Sequence, residues 1–393
     1  MKKGIGVGIE DFKKIIEEDC YYFDKTNYIE ELLKDRTEIK LFTRPRRFGK
    51  TLNMTTLKYF FDVRNAEENR KLFKDLYIKK SEYFKEQGQY PTIFITLKDT
   101  KKNNWEECYS KIKIILRDLY EEHSYIKDKL SINEKEEYDK ILFKKDDAEY
   151  DNALLNLTKY LYNYYQKKVV LLIDEYDSPL ITANQFGYYK EAINFFRDFL
   201  SSALKTNSNL KMGVLTGIVQ VAKEGIFSGL NNVKTYNILG DKFEIFFGLS
   251  EEEIEEALKY FEMTYEIEEV KRWYDGYKFG NSEVYNPWSI VNYLSDRGLQ
   301  AYWVNTSDNA LIYDNLKNST VDVFKDLEAL FEGKAIKKEI SPFFTFEELS
   351  KFDGIWQLMV YNGYLKISKK LSNDEYMIKI PNYEIQTFFK KGF

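Results

Sequence analysis

The chain has 393 residues, a net charge of −5, 31% charged residues and 44% hydrophobic residues. This length allows two or three domains with a sizeable core, and this balance excludes an intrinsically disordered protein. The only cysteines are Cys20 and Cys108, and the only histidine is His123. A disulfide scaffold, a zinc site of His and Cys ligands, and catalysis by a Ser-His-Asp or Cys-His set are therefore disfavoured.

The first six residues lead directly into acidic sequence without an apolar run, so we predict no signal peptide. The chain also lacks a stretch of about 18 apolar residues, and we expect neither a membrane span nor a membrane partner. These features together predict a cytoplasmic protein. The mildly acidic total charge argues against a protein that coats nucleic acid, although a local basic patch is compatible with it.

Strand-like segments alternate with helical patterns through the first two-thirds of the chain. Strands are predicted at 38–43, 91–97, 169–174, 210–216 and 243–247, and helices near 51–62, 105–122, 131–165 and 188–206. The third strand is apolar without alternation, which is typical of a parallel strand covered by helices on both faces. The pattern predicts an α/β domain with a parallel sheet over residues 1–248.

The remaining sequence predicts two smaller regions. Ser250 followed by Glu253 is a capping box that starts a helix, and the helical pattern beyond it predicts a helical lid subdomain over 249–322. Two strand-like pieces, 363–367 and 376–380, follow further helical sequence. Helices followed by a β-ribbon predict a winged-helix-like module over 323–393.

The first predicted strand is followed by a basic loop and then by a helix, which is the placement of a phosphate-binding loop. In such a loop Gly49 lets the backbone approach a phosphate, Lys50 reaches the β- and γ-phosphates, and the Thr51 hydroxyl ligates Mg²⁺. The N-terminus of the helix adds N–H donors and a favourable dipole. We assign nucleotide binding to the whole loop, which comprises Arg44, Pro45, Arg46, Arg47, Phe48, Gly49, Lys50 and Thr51.

This loop departs from the full pattern Gly-x4-Gly-Lys-[Ser/Thr], because Arg44 stands where the first glycine is expected. The alternative interpretation is a basic surface turn. In the same way, Arg44, Arg46 and Arg47 either add phosphate contacts or are simply solvated.

The third strand ends in two carboxylates, Asp174 and Glu175. In a P-loop ATPase the first would hold Mg²⁺, directly or through water, and the second would act as general base toward the attacking water. The alternative is a buried strand followed by an acidic turn, which the sequence of residues 176–179 would also suit.

Two further positions are candidates for the same chemistry. Thr216, at the end of the fourth strand, stands where a γ-phosphate sensor would lie, with an ordinary strand-end threonine as the alternative. Arg272 is a candidate catalytic arginine that would act near the γ-phosphate in cis or in trans, and an exposed helix arginine is its alternative.

Several segments carry a family resemblance that spans almost the whole chain. They are 22–26 (YFDKT), 44–51 (RPRRFGKT), 172–177 (LIDEYD), 226–232 (IFSGLNN), 273–277 (WYDGY), 285–289 (YNPWS) and 302–306 (YWVNT). With these segments the chain resembles the AAA-ATPase-like proteins of bacteria and archaea, whose longer members carry a C-terminal PD-(D/E)XK nuclease-like domain.

The resemblance implies an ATP-binding P-loop NTPase fold of the AAA-like (ASCE) type, with a helical lid and a winged-helix-like region. It also implies that Arg44 is the family's own variant of the loop. Pro287 resembles the proline that contacts adenine in related signalling ATPases. Nuclease activity is not predicted for this chain, because it ends at Phe393 and its Glu-x-Lys pieces, such as 332–334, lack a preceding strand with a paired Asp.

These observations lead to an Mg²⁺-dependent ATPase that acts as a switch, with lid motion read by a protein partner or a nuclease-like domain. The alternative is a non-hydrolysing, nucleotide-stabilised module that contacts DNA or protein through C-terminal lysines, for example in 336–338 and 368–370. A catalytically inactive scaffold is the third interpretation. The sequence leaves a homo-oligomer open.

Overall fold

The computed structural model of the chain describes residues 2–221, 226, 231–263, 267–304, 321–343 and 354–392. Most of the helices in these residues follow the predicted helical patterns. In chain order they are α1 (Phe12–Glu17), α2 (Asn27–Lys34), α3 (Lys50–Phe61), α4 (Ala66–Leu72), α5 (Trp105–Glu122), α6 (Ile132–Leu142), α7 (Ala153–Tyr165), α8 (Ser178–Phe186), α9 (Tyr189–Leu204), α10 (Glu251–Tyr260), α11 (Ile267–Tyr274), α12 (Pro287–Asp296), α13 (Val321–Phe331), α14 (Gly354–Asn362) and α15 (Tyr383–Gly392). Short 3₁₀ helices are Tyr77–Lys80, Glu82–Glu86, Lys98–Thr100, Ser124–Lys129, Tyr150–Asn152 and Glu244–Phe246. No helix of the described residues is long and apolar enough to cross a membrane.

A five-stranded sheet has the order β2-β3-β4-β1-β5. Its strands are β1 (Ile39–Thr43), β2 (Thr92–Thr96), β3 (Val169–Asp174), β4 (Leu210–Gly217) and β5 (Val233–Tyr236). Strand β3 pairs in parallel with β2 and with β4, and Thr96 of β2 lies opposite Asp174. Every residue of β3 is buried, as expected for an apolar strand with neighbours on both edges. The predicted α/β core with a parallel sheet is confirmed.

The fifth strand differs from the prediction. It is β5, whereas the predicted segment 243–247 contains a 3₁₀ helix instead, so that prediction was wrong. Phe243 adopts a left-handed backbone with a φ of 60°, which an extended strand does not tolerate. Its ring packs edge-on against Tyr28 and Tyr236. The apolar run therefore fills a core with aromatic rings and adds no strand.

The helical pattern predicted over 131–165 corresponds to more than one helix. It is divided into α6, a 3₁₀ turn and α7, because Lys144 has a left-handed backbone (φ 53°) and the segment after it is polar and largely exposed. Residues 176–177 form the turn of the alternative interpretation, and helix α8 begins directly after them at Ser178. Pro179 stands in its first turn, where a proline costs the helix no hydrogen bond.

Chain contacts divide the molecule into two compact units. The first comprises Met1–Tyr28, Thr43–Asn53 and Tyr236–Phe393, and the second Ile29–Phe42 and Met54–Thr235. In the first unit the predicted capping box is confirmed: the Ser250 side chain accepts from the Glu253 amide, and the Glu253 side chain accepts from the Ser250 amide. The second unit contains most of the five-stranded sheet. The boundaries predicted at 248 and 322 stay a prediction.

The C-terminal part of the first unit contains two small antiparallel sheets. Strands β6 (Tyr277–Phe279) and β7 (Ser282–Val284) form a hairpin, and β8 (Ile336–Glu339), β9 (Lys366–Lys370) and β10 (Glu375–Lys379) form a sheet of order β8-β10-β9. The predicted ribbon is thus present, with β9 starting three residues later than expected. The winged-helix-like arrangement stays a prediction.

Candidate functional site

The basic loop joins β1 to α3 and lies in the first unit. Gly49 has a φ of +75°, and an added Cβ would meet no atom of the described residues within 4 Å, so the backbone conformation and not lack of space requires glycine here. Lys50, the first residue of α3, is buried, and its Nζ donates to the carbonyls of Arg44 (3.0 Å) and Pro45 (2.8 Å). The ammonium is therefore folded back over the loop that it follows.

Arg44 is fully buried, and its guanidinium is bound by backbone carbonyls. It donates to the carbonyls of Thr43 (2.9 Å), Tyr236 (2.7 Å) and Phe243 (3.0 Å). The group also lies between two aromatic rings, those of Phe247 and Phe279, about 5 Å from each centroid. Burial lowers the pKa of Arg44 to about 9, so the guanidinium remains cationic at neutral pH.

These contacts give Arg44 a structural role that the sequence did not reveal. Two of these carbonyls, those of Tyr236 and Phe243, and the Phe247 ring hold the start of the loop against the segment 236–247. A direct phosphate contact by Arg44 stays a prediction. The arginine itself was a usable signal for this role. A cation that replaces a glycine and becomes buried needs hydrogen-bond acceptors, such as carbonyls, to compensate its charge.

The rest of the loop contacts residues around α12 and the segment before residue 305. The guanidinium of Arg47 lies 4.1 Å above the Trp288 ring, and Arg47 has a left-handed backbone with a φ of 68°. Trp288 follows Pro287, the first residue of α12. The structure thus brings the predicted Pro287 segment to the loop.

Helix α12 starts at Pro287 for clear local reasons. Proline is favoured at a first helical position, and the Asn286 side chain accepts from the amides of Trp288 (2.9 Å) and Ser289 (3.3 Å).

Phe48 of the loop is buried with its ring edge-on to Tyr277 at 5.0 Å. Adenine contact by Pro287 stays a prediction.

In the second unit, three strand ends meet at Asp174. The Thr216 hydroxyl, at the end of β4, donates to Asp174 Oδ1 at 2.5 Å, and the Thr96 hydroxyl, at the end of β2, lies 3.5 Å from Oδ2. Asp174 and Thr216 are fully buried. The structure thus brings together the predicted metal carboxylate and the predicted sensor. Sequence reasoning missed Thr96, although a threonine at the end of a neighbouring parallel strand was a usable signal.

Glu175 turns away from the strand direction immediately after β3. Its φ is 53°, and its amide donates to the Thr216 hydroxyl at 3.3 Å. A non-glycine residue in the left-handed region carries strain that clusters at functional sites. The carboxylate accepts from the Ser178 hydroxyl at 2.8 Å. Sequence reasoning missed Ser178, because residues 176–179 were interpreted only as a turn.

Tyr176 and Asp177 hold the segment that follows β4. Asp177 Oδ2 accepts from the amides of Ile218 (2.7 Å) and Val219 (2.9 Å). The Tyr176 hydroxyl donates to the Val219 carbonyl at 2.8 Å and accepts from the Val221 amide at 3.1 Å. The residues after the two carboxylates therefore fix the backbone directly beyond Thr216.

Arg272 lies on α11 in the first unit. Its side chain is 60% exposed, stacks on the Tyr383 ring at 4.8 Å and lies 3.8 Å from the Glu269 carboxylate. These contacts fit the exposed helix arginine that was the alternative. A catalytic role for Arg272 stays a prediction.

Two of the segments that carry the resemblance stabilise the first unit. In 22–26, Lys25 Nζ bonds Glu253 at 2.5 Å and the Ile245 carbonyl at 2.9 Å. In 273–277, Gly276 has a φ of +98°, and a Cβ there would lie 2.5 Å from the Pro381 carbonyl oxygen. Parts of two other segments, 227–230 and 305–306, lie outside the described residues.

Sequence comparison relates the chain to known proteins. Residues 6–227 match the family model described as Predicted AAA-ATPase. Over 395 residues, the chain is 24% identical to "Uncharacterized protein in vnfD 5'region" of Azotobacter chroococcum mcd 1. That alignment covers 98% of this chain and 69% of the Azotobacter protein.

Proposed function

Because the chain belongs to the Predicted AAA-ATPase family, we propose that it binds Mg·ATP, hydrolyses it and acts as a conformational switch. The main support is the hydrogen bond between Thr216 and Asp174, with Glu175 as the next residue. A hydroxyl, a metal-type carboxylate and a candidate base then occupy the ends of adjacent parallel strands. Strand β1, which leads into Lys50 and Thr51, belongs to the same sheet.

The donor atoms of these residues fit Mg²⁺ and a phosphate chain. Mg²⁺ prefers oxygen ligands, and the Thr51 hydroxyl and the Asp174 carboxylate are of that type. Lys50 and the N-terminal amides of the twelve-residue helix α3 are cationic or partly positive groups that suit phosphate oxygens. Thr51 and Asp174 would hold the cation, and Lys50 would bind the β- and γ-phosphates.

When bound, Mg·ATP supplies the transferable γ-phosphoryl group and a divalent cation that neutralises charge on the phosphate oxygens. The chain's own residues supply positioning and proton transfer. Lys50 exchanges the carbonyls of Arg44 and Pro45 for phosphate oxygens. Glu175 accepts a proton from the attacking water at its carboxylate, and Thr216 keeps Asp174 and the Glu175 amide in register.

The switch function rests on the contact of the loop with α12. Arg47 stacks on Trp288 in the first turn of that helix, so a nucleotide that attracts Arg47 weakens this stacking. The lid then has two arrangements that differ in one cation–π contact, and a protein partner or a nuclease-like domain would read the difference.

One observation favours the alternative, a nucleotide-stabilised module that does not hydrolyse ATP. The Ser178 hydroxyl occupies one oxygen of Glu175, which is the proposed base. Contact with DNA has less support. Lys337 pairs with Glu375 and Lys338 with Asp326, so neighbouring carboxylates neutralise these lysines of β8.

The experiment compares bound nucleotide and released phosphate for the purified chain with Mg·ATP, Mg·GTP and ATP plus EDTA. The proposal predicts binding and turnover with Mg·ATP and little turnover with EDTA. Ser178→Ala is the informative variant, because it removes the Ser178 hydroxyl from the Glu175 carboxylate and leaves every loop residue intact. Binding without turnover in both proteins would support the alternative, and absence of binding would refute both.

A further inference from the structure

The buried indole of Trp303 contacts the phosphate-binding loop of the same unit. Trp303 is fully buried, and its Nε1 donates to the Arg46 carbonyl at 3.2 Å. Its ring also packs against Tyr277 at 6.5 Å, and Tyr277 in turn packs against Phe48 of the loop. The loop therefore meets the surroundings of Trp303 through one hydrogen bond and one chain of rings.

The backbone of Trp303 is held by a buried carboxylate from the C-terminal helix α15. The Trp303 amide donates to Glu384 Oε1 at 2.6 Å, and the Ser289 hydroxyl donates to Oε2 at 2.7 Å. Backbone groups of Tyr302 and Val304 add hydrogen bonds to the same carboxylate. Glu384 is fully buried, and Ser289 belongs to the first turn of α12. A continuous polar connection thus runs from α15 through Trp303 to the loop.

The bond to the Arg46 carbonyl orients the loop backbone. A trans peptide is planar, so its C=O and N–H point in opposite directions. When Trp303 fixes the Arg46 carbonyl, it also fixes the direction of the Arg47 amide. Arg47 and Gly49 both have positive φ, and alternation of this kind arranges successive N–H groups into an anion-binding concavity.

We propose that Trp303 and Glu384 are positioning residues for the phosphate-binding loop, through which nucleotide binding and docking of α15 strengthen each other. The inference rests on the proposed function, since it assigns a partner within the chain to that loop. Coupling of this kind is reciprocal: if α15 stabilises the nucleotide-binding loop, bound nucleotide must stabilise α15 by the same factor.

The test uses two tryptophan variants of the full chain. Trp303→Phe keeps an aromatic ring and removes the N–H that binds the Arg46 carbonyl. Trp356→Phe is the matched control, because Trp356 is also fully buried in the first unit, while its Nε1 has no hydrogen-bond partner among the residues that the structure describes. We expect Trp303→Phe to weaken Mg·ATP binding about five- to tenfold, and Trp356→Phe to change it by less than about twofold.

Hydrogen exchange measures the coupling itself. In the wild type and in Trp356→Phe, Mg·ATP should slow amide exchange in α15, and in Trp303→Phe this protection should disappear. Without nucleotide, the amides of residues 46–49 should exchange faster in Trp303→Phe than in the control. The inference would be overturned if the two variants had equal Mg·ATP affinities and equal loop exchange, and if exchange in α15 were the same with and without nucleotide.

The outcomes separate this inference from the proposed function. A wild type that binds no nucleotide refutes the proposed function, and loop exchange without nucleotide then still decides whether Trp303 positions the loop. If Trp303→Phe does not fold, Ser289→Ala replaces it, since it removes one bond to Glu384 and no ring. We expect a two- to fivefold loss of Mg·ATP affinity in Ser289→Ala, and an unchanged affinity together with unchanged α15 protection would overturn the inference.

Discussion

The Thr216 hydroxyl donates to Asp174 at 2.5 Å and accepts from the amide of Glu175 at 3.3 Å. One buried hydroxyl thus joins the end of β4 to Asp174, the last residue of β3, and to Glu175, the residue that follows it. This relationship makes Thr216 part of the geometry of the proposed metal ligand and base, in addition to any contact with phosphate.

Thr216→Val should test this role, because valine keeps the shape of threonine and removes both hydrogen bonds. A buried carboxylate that loses a donor costs about 1–3 kcal/mol, so the free energy of unfolding should fall by that amount. Phosphate release should fall as well. Thr216→Ser, which restores the hydroxyl, should recover most of both losses in urea unfolding and phosphate-release assays, and a serine variant as impaired as valine would contradict the role.

Gly217 should not tolerate a side chain. An added Cβ would lie 2.7 Å from Tyr176 Cε1 and 2.8 Å from Asp177 Oδ1, in the two residues that hold the segment after β4. Gly217→Ala should therefore lower the free energy of unfolding by about 1–3 kcal/mol. Gly240→Ala is the control, because in the described part of the chain its Cβ would approach no atom closer than 3.9 Å. Similar thermal unfolding of both variants would show that the contacts of Tyr176 and Asp177 with the segment after β4 have no energetic importance.

Lys50→Ala should weaken ATP binding. A hydrogen bond to a charged group contributes about 1.5–3 kcal/mol, which corresponds to roughly a 10- to 150-fold rise in Kd by titration calorimetry. Lys369→Ala removes an exposed lysine of β9 and should leave the Kd unchanged. An affinity that responds equally to both substitutions would indicate nonspecific electrostatics instead of a phosphate site.

The stability of the first unit should depend on pH through Glu384. Burial raises the pKa of Glu384 from 4.5 to about 7. Since the folded pKa exceeds the unfolded one, protonation favours folding: this contribution is complete below about pH 4.5 and is lost as the pH rises through 7. The loss is about 3 kcal/mol.

Glu384→Gln removes that proton equilibrium. The free energy of unfolding of the variant minus that of the wild type should rise by about 3 kcal/mol between pH 4.5 and pH 8 in urea titrations. A difference that stays constant over this range would mean that Glu384 does not titrate between these values.

The sequence predicted the elements that follow from apolar pattern and local capping. The strands that became β1 to β4, the helix after Lys50 and the capping box of Ser250 and Glu253 were found, because each depends on residues close together in the chain. The fifth strand was assigned to 243–247, because an aromatic run has the same pattern whether it forms a strand or fills a core with rings.

The sequence predicted the candidate residues of the site better than it predicted the contacts that hold the site in place. Asp174, Glu175 and Thr216 were selected as candidates from their positions at strand ends, and the structure places them together. Ser178 was missed because its contact with Glu175 depends on the left-handed backbone at 175. The bonds of Arg44 to the carbonyls of Tyr236 and Phe243 were missed because these partners lie about 200 residues away in the chain. Such contacts depend on tertiary structure, which a local pattern does not encode.

The most direct test of the account is phosphate release from Mg·ATP by the wild type and by Glu175→Gln, with bound ATP measured in parallel. The substitution keeps size and polarity and removes the carboxylate that would accept the proton. The account predicts that turnover falls by roughly 10²- to 10⁴-fold while ATP binding is retained. Turnover that is equal in the two proteins would contradict the assignment of Glu175 as the base, and with it the proposed mechanism.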